Sequence, residues 1–89
     1  MVQREVVIVN RLGLHARAAA RFVALASEFD CEVRLARGER EVNAKSIMGV
    51  MMLAAGQGTR LRLVCDGPDE REAIERLARL VAERFGEPE

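Results

Sequence analysis

Over residues 2–9 (VQREVVIV) β-branched residues dominate, and Asn10 and Gly13 follow, a pattern that predicts a first strand running into a turn. The period then changes. Ala16, Ala19, Ala20, Phe22, Val23, Ala26 and Phe29 recur at steps of three and four, which predicts an amphipathic helix over residues 16–29 that ends near Asp30. Alternation returns in residues 31–37, where Cys31, Val33 and Leu35 oppose Glu32, Arg34 and Ala36. It continues in residues 41–44, where Val42 and Ala44 oppose Glu41 and Asn43. Gly38 and Glu39 supply the tight connection of a hairpin. Ser46 precedes IMGVMML, a run of helical spacing with Gly49 in its middle and Gly56 and Gly58 beyond it, so a short helix of two turns capped by Ser46 is expected. Residues 59–66 set Leu61, Leu63 and Cys65 against Arg60, Arg62 and Val64, which predicts a fourth strand with one wet face. After Gly67 and Pro68, Asp69 and Glu72 have the spacing of a capping box. Ala73, Ile74, Leu77, Leu80, Val81 and Phe85 then form the buried stripe of a last helix, closed by Gly86 and Pro88.

The order of elements is βαββαβα, and strands that alternate cleanly need helices on one face only. The expected fold class is therefore α+β: a two-layer open-faced β-sandwich, with a four-stranded antiparallel sheet and three helices on one face. The 89 residues form one domain, 1–89, without a repeat, linker or low-complexity tract. Hydrophobic residues at 49% and charged residues at 31% fit a folded domain and exclude disorder. Fourteen basic residues, thirteen Arg and Lys45, match fourteen acidic ones, so no global field draws the chain to nucleic acid or an anionic membrane. No apolar run approaches the roughly 20 residues of a membrane span, and the charged start lacks a signal-peptide core; a cytoplasmic protein is expected. Cys31 and Cys65 lack C-x-x-C spacing and one His cannot complete a zinc set with them, so buried free thiols are expected and no metal.

The only histidine lies in N10-R11-L12-G13-L14-H15-A16-R17-A18, after a glycine turn and at the mouth of the first helix. A first helical turn leaves backbone N–H groups unpaired, and those of Ala16 and Arg17 can face a phosphate whose charge the helix dipole also favours. The same positive end favours a neutral, nucleophilic imidazole at His15. Arg17 adds a permanently charged fork for phosphoryl oxygens. No second His, no carboxylate pair at a helix mouth and no Gly-rich nucleotide loop accompany it, so the chain can relay a phosphoryl group but has no means of generating one. A lone His near a helix start is more often a cap or a surface residue, and chemistry alone leaves both readings open.

Around Ser46, burial of Val50 and Leu53 against the sheet would leave Ile47, Met48 and Met51 on the other side, an adaptable apolar docking face. Periodicity alone equally allows these methionines to finish a core. Ala20, Arg17, Arg21 and Lys45 would extend the face and steer partners. Phosphate on Ser46 would put about two negative charges in its middle.

G13-L14-H15-A16-R17 and K45-S46-I47-M48-G49-V50-M51, at this separation, resemble the phosphohistidine and regulatory serine motifs of the HPr phosphocarriers of the bacterial phosphoenolpyruvate-dependent phosphotransferase system. The likeness spans nearly the whole chain. It implies that His15 accepts phosphate on Nδ1 from Enzyme I and passes it to an EIIA domain of a sugar permease, with Arg17 assisting. It implies further that Ser46 is a target of an HPr kinase/phosphorylase, and that the fold is the βαββαβα sandwich. Ala18 departs from the proline common after the active-site Arg, and a helix-forming alanine is expected to keep the chemistry with a less rigid first turn. The chain is expected to act as a monomeric transfer intermediate without a cofactor, rather than as an independent catalyst. The alternative is a carrier of the nitrogen-related phosphotransferase branch with regulatory output. A binding module that is never phosphorylated, or a ferredoxin-like ligand-binding domain, gives no reason for a His and an Arg beside a Met-rich face.

Overall fold

The computed structural model describes residues 1–89. Its elements are β1 (Val2–Val7), α1 (Ala16–Ala26), β2 (Glu32–Arg37), β3 (Arg40–Asn43), α2 (Ile47–Met51), β4 (Arg60–Asp66) and α3 (Glu70–Ala82), followed by a single left-handed turn at Arg84–Gly86. The strands form one antiparallel sheet in the order β1-β4-β2-β3, so the α+β sandwich expected from the periodicities is present. Register explains the core. Val6 lies opposite Leu61, and Leu63 opposite Leu35, so period-two alternation turns all four to one face. There they bury with Phe22 and Ala26 of α1, Val50 of α2, and Ala73, Leu77 and Val81 of α3. Arg37 pairs with Arg40 across the β2–β3 hairpin, leaving Gly38 and Glu39 as the loop; φ of 60° at Gly38 and none positive at Glu39 fits a turn with glycine first.

Several details differ from the pattern-based expectations. β1 ends at Val7, although Ile8 still donates to the Thr59 carbonyl at 2.9 Å and stays buried. α1 ends at Ala26, because Glu28 and Phe29 donate three residues back, to Leu25 and Ala26, and tighten the chain into a turn. α2 has one turn rather than two. The outer face of the sheet is not uniformly wet: Val64 and Ala36 are buried there, Val64 between Gln3 and Arg34 and Ala36 between Arg62 and Glu41 on neighbouring strands. Long polar side chains cover small apolar ones with their stems.

The expected capping box at α3 is also replaced. Asp69 is the N-cap residue but makes no side-chain cap bond. Its carboxylate accepts from the N–H of Asp30 at 2.8 Å and of Cys31 at 2.9 Å, tying the start of α3 to the α1–β2 link. Glu70 instead accepts from Gly67 N–H at 3.0 Å. Cys31 and Cys65 are buried free thiols, and burial pushes that of Cys65 up to about 12, so it is inert at neutral pH.

The hydrogen bond from Asp30 N–H, with that from Cys31, holds the Asp69 carboxyl below the ordinary carboxylate value. A folded value below the unfolded one means stability that is present above the unfolded value and is lost as pH falls through the folded one. Asp69→Asn is therefore expected to lower the urea midpoint above about pH 5, with the gap to the parent protein closing as the solution is taken towards pH 2. A gap that stays constant over that range would remove Asp69 from the acid sensitivity of the fold.

Candidate functional site

Asn10, Gly13 and Leu14 build the loop that presents His15. Gly13 adopts φ of 67°, and a Cβ there would lie 2.5 Å from the Ala55 carbonyl oxygen and 2.8 Å from the Gly56 Cα. Only glycine permits that approach. Leu14 N–H donates to the same Ala55 carbonyl at 2.9 Å, so the His15 loop is tied to the segment after α2. Asn10 is wholly buried; its Nδ2 donates to the Gly13 carbonyl and to Glu87 Oε1, each at 2.9 Å.

His15 is the N-cap residue of α1 in extended conformation, and its side chain makes no cap bond, so the commonplace role of a helix-start histidine is not the one it plays. The first intrahelical bond runs from Ala19 N–H to the His15 carbonyl at 2.8 Å. The N–H groups of Ala16 and Arg17 therefore have no intrahelical acceptor and stand at the positive end of the helix. Arg17 is exposed and has no carboxylate within ion-pair distance. Arg11, Leu12, Arg17, Glu87, Pro88 and Glu89 line an open cavity of about 260 Å³ at this end of the molecule. His15 itself does not line it, and of the residues at the helix mouth only Arg17 reaches into it.

One functional side chain was not visible in the sequence pattern. His15 Nε2 lies within hydrogen-bond distance of Glu87 Oε2, so a carboxylate does accompany the histidine, brought there from 72 residues away. The chain leaves α3 through three successive positive φ values, at Arg84, Phe85 and Gly86, and this left-handed turn carries Glu87 back over the α1 mouth. Arg21 fixes the turn by donating to the Phe85 carbonyl, while Arg11 pairs with Glu89 at 2.9 Å. Hydrogen bonds from Asn10 and then His15, with the nearby Arg17 charge, hold the Glu87 carboxyl below the usual range.

The docking face expected beside His15 is exposed as predicted by the burial of Val50 and Leu53. Ile47, Met48 and Met51 are 42%, 70% and 39% exposed, so these residues do not finish the core. Met52 and Leu12, not singled out by periodicity, are also exposed. Ala20 and Arg21 are exposed on α1, which packs beside α2. Two basic residues are less free than expected: Arg21 is engaged with Phe85, and Lys45 donates to the Phe29 carbonyl at 2.7 Å. The latter lies beyond the far end of α1, about 16 Å along the helix from its mouth at about 1.5 Å per residue, so Lys45 is not beside His15. Ser46 caps α2 as expected, its Oγ accepting from Gly49 N–H at 3.2 Å.

A small sandwich that sets one histidine at a helix mouth with free amide donors, beside an exposed apolar face, has the architecture of a phosphoryl carrier. A family model described as the PTS HPr component phosphorylation site matches residues 2–83, and the chain belongs to this HPr family of phosphotransferase-system phosphocarriers. It is 56% identical to the phosphocarrier protein HPr of Cupriavidus necator over 89 residues, covering all of both chains. The solved HPr-C-His of Thermoanaerobacter tengcongensis superposes with a TM-score of 0.96 at 44% identity over the whole of each chain. An HPr dimer from the same organism matches with a TM-score of 0.79 at 45% identity, covering 98% of this chain and 100% of that one.

Gly13→Ala is expected to cost about 1–3 kcal/mol from the positive φ alone, with the steric overlap adding to it. Denaturant unfolding measures the loss, and amide NMR shifts should be concentrated at residues 10–15 and 54–56. An unperturbed loop and parental stability would contradict the close approach.

Proposed function

We propose that His15 carries the phosphoryl group, accepted from phospho-Enzyme I and delivered to an EIIA domain of a sugar permease. The observation that carries this is the position of the imidazole at a helix mouth whose first N–H groups lack acceptors, with an unpaired Arg17 beside it. In transfer, a ring nitrogen lone pair forms the N–P bond while the donor's bond to phosphorus breaks and its electron pair leaves with the donor. Arg17 and the amides of Ala16 and Arg17 neutralise the phosphoryl oxygens while the group passes between the breaking and the forming bond. No helix is long and apolar enough to cross a membrane, in keeping with a protein that meets its partners in the cytoplasm.

Ile47, Met48 and Met51, with Ala20 and Arg21, form the surface on which those partners dock in turn; flexible thioethers adapt to different partners better than branched side chains do. Ser46 is the residue an HPr kinase/phosphorylase modifies. Ser46 is half-buried at the start of α2, and a phosphate there sets negative charge against that apolar face.

Incubation with Enzyme I and phosphoenolpyruvate should give an acid-labile, base-stable phosphoprotein, and His15→Ala should carry no label. Label retained by that variant would move the site elsewhere. With ATP and an HPr kinase, an acid-stable phosphate is expected that disappears in Ser46→Ala, a variant that loses about 1 kcal/mol of helix capping but stays folded. An acid-stable phosphate that persists in that variant would place the modification at another residue.

A further inference from the structure

We propose that Glu87 is a positioning residue that decides which nitrogen of His15 is free: its carboxylate takes the Nε2–H and leaves the Nδ1 lone pair for phosphorus. This rests on the carrier reading of His15 and adds to it a residue outside both sequence motifs.

The arrangement is a chain of three side chains. Asn10 has no exposure to solvent, and both of its amide bonds are directional: one Nδ2–H goes to the Gly13 carbonyl, the other to Glu87 Oε1. Rotating that amide would forfeit both bonds in a buried site, so its donors are fixed. Asn10 thereby fixes the Glu87 carboxylate, and the second oxygen, Oε2, faces His15 Nε2. An ionised carboxylate only accepts, so the ring nitrogen it meets must carry hydrogen. A neutral imidazole has one N–H, and with that hydrogen on Nε2 the lone pair is on Nδ1. The Glu87 side chain is only 10% exposed, so water competes weakly for the bond.

The same contact serves the phosphorylated state. When Nδ1 forms its bond to phosphorus and the donor departs with its electron pair, the ring keeps its Nε2–H and becomes cationic. That charge then faces the Glu87 carboxylate. In the return step the N–P electrons go back to Nδ1 and the ring is neutral again, with its hydrogen still on Nε2.

Glu87→Gln provides a sharp test. Asn10 still donates to the amide oxygen of residue 87, which turns the new NH₂ group towards His15 Nε2. Two donors cannot face each other, so the ring hydrogen is expected to move to Nδ1. Long-range ¹H–¹⁵N correlation of the His15 ring, with the imidazole neutral, should give Nε2–H in the parent protein and mainly Nδ1–H in Glu87→Gln. Labelling of Glu87→Gln by Enzyme I should be slower by on the order of ten- to a hundredfold, the loss typical when the group orienting a metal-ligating imidazole is removed. Glu87→Ala, which removes both acceptor and donor, should give a mixed tautomer and an intermediate rate. Nδ1–H in the parent protein, or an unchanged tautomer in both variants, would overturn the proposal. A parent protein with the Nε2–H tautomer but no label on His15 would instead overturn the carrier reading alone.

Discussion

A side-chain amide sealed from water must find its partners inside the protein, and at Asn10 that requirement organises the end of the molecule that bears His15. Its two donor bonds join a turn early in the chain to a carboxylate near the other end, while its Oδ1 has no partner. The burial is tolerable only while both donor bonds persist, because an unsatisfied buried amide costs on the order of 1–3 kcal/mol. The turn, the histidine and the returning segment are thus held as one unit rather than as three surface features that happen to meet. Gly13, pressed against the Ala55–Gly56 backbone, extends the unit to the segment after α2.

The working surface combines two kinds of order. At the helix mouth, positions are fixed by hydrogen bonds and by backbone that cannot accept a Cβ. On and just after α2, which packs against α1, Met48, Met51 and Met52 are exposed, with flexible side chains. A carrier that must be recognised by a donor and then by an acceptor benefits from this division, since the reacting nitrogen has to sit in the same place each time whereas the contact surface has to fit more than one shape.

Much of this was legible in the sequence because most of the fold has local causes. Period-two and helical spacing identified every strand and helix in order, and the burial of Val50 and Leu53 implied the exposure of Ile47, Met48 and Met51. His15, Ala16 and Arg17 were legible because a glycine turn followed by a helix start is a local pattern. What was missed depends on contacts between distant segments. Glu87, between Gly86 and Pro88, reads as the frayed end of a helix, and no spacing rule links it to a histidine 72 residues away. Asp69 has the right type and position for a capping box, yet its carboxylate serves two N–H groups that only tertiary packing brings near. Val64 and Ala36 read as wet-face residues until the neighbouring strands show what covers them. Lys45 looked free because its acceptor, the Phe29 carbonyl, belongs to another element.

The left-handed turn at Arg84–Gly86 also makes the chain between α3 and Glu87 a ruler. Each residue of extended backbone spans about 3.3–3.6 Å, more than the whole length of a hydrogen bond. One residue added or removed between Phe85, which is buried in the core, and Glu87 would carry the carboxylate out of reach of both Asn10 and His15 while leaving sheet, helices and core untouched. The tolerance of this short connection to length change is therefore far smaller than its exposure and its place at the edge of the domain suggest. Relatives that differ there in length would have to orient their histidine with a different group.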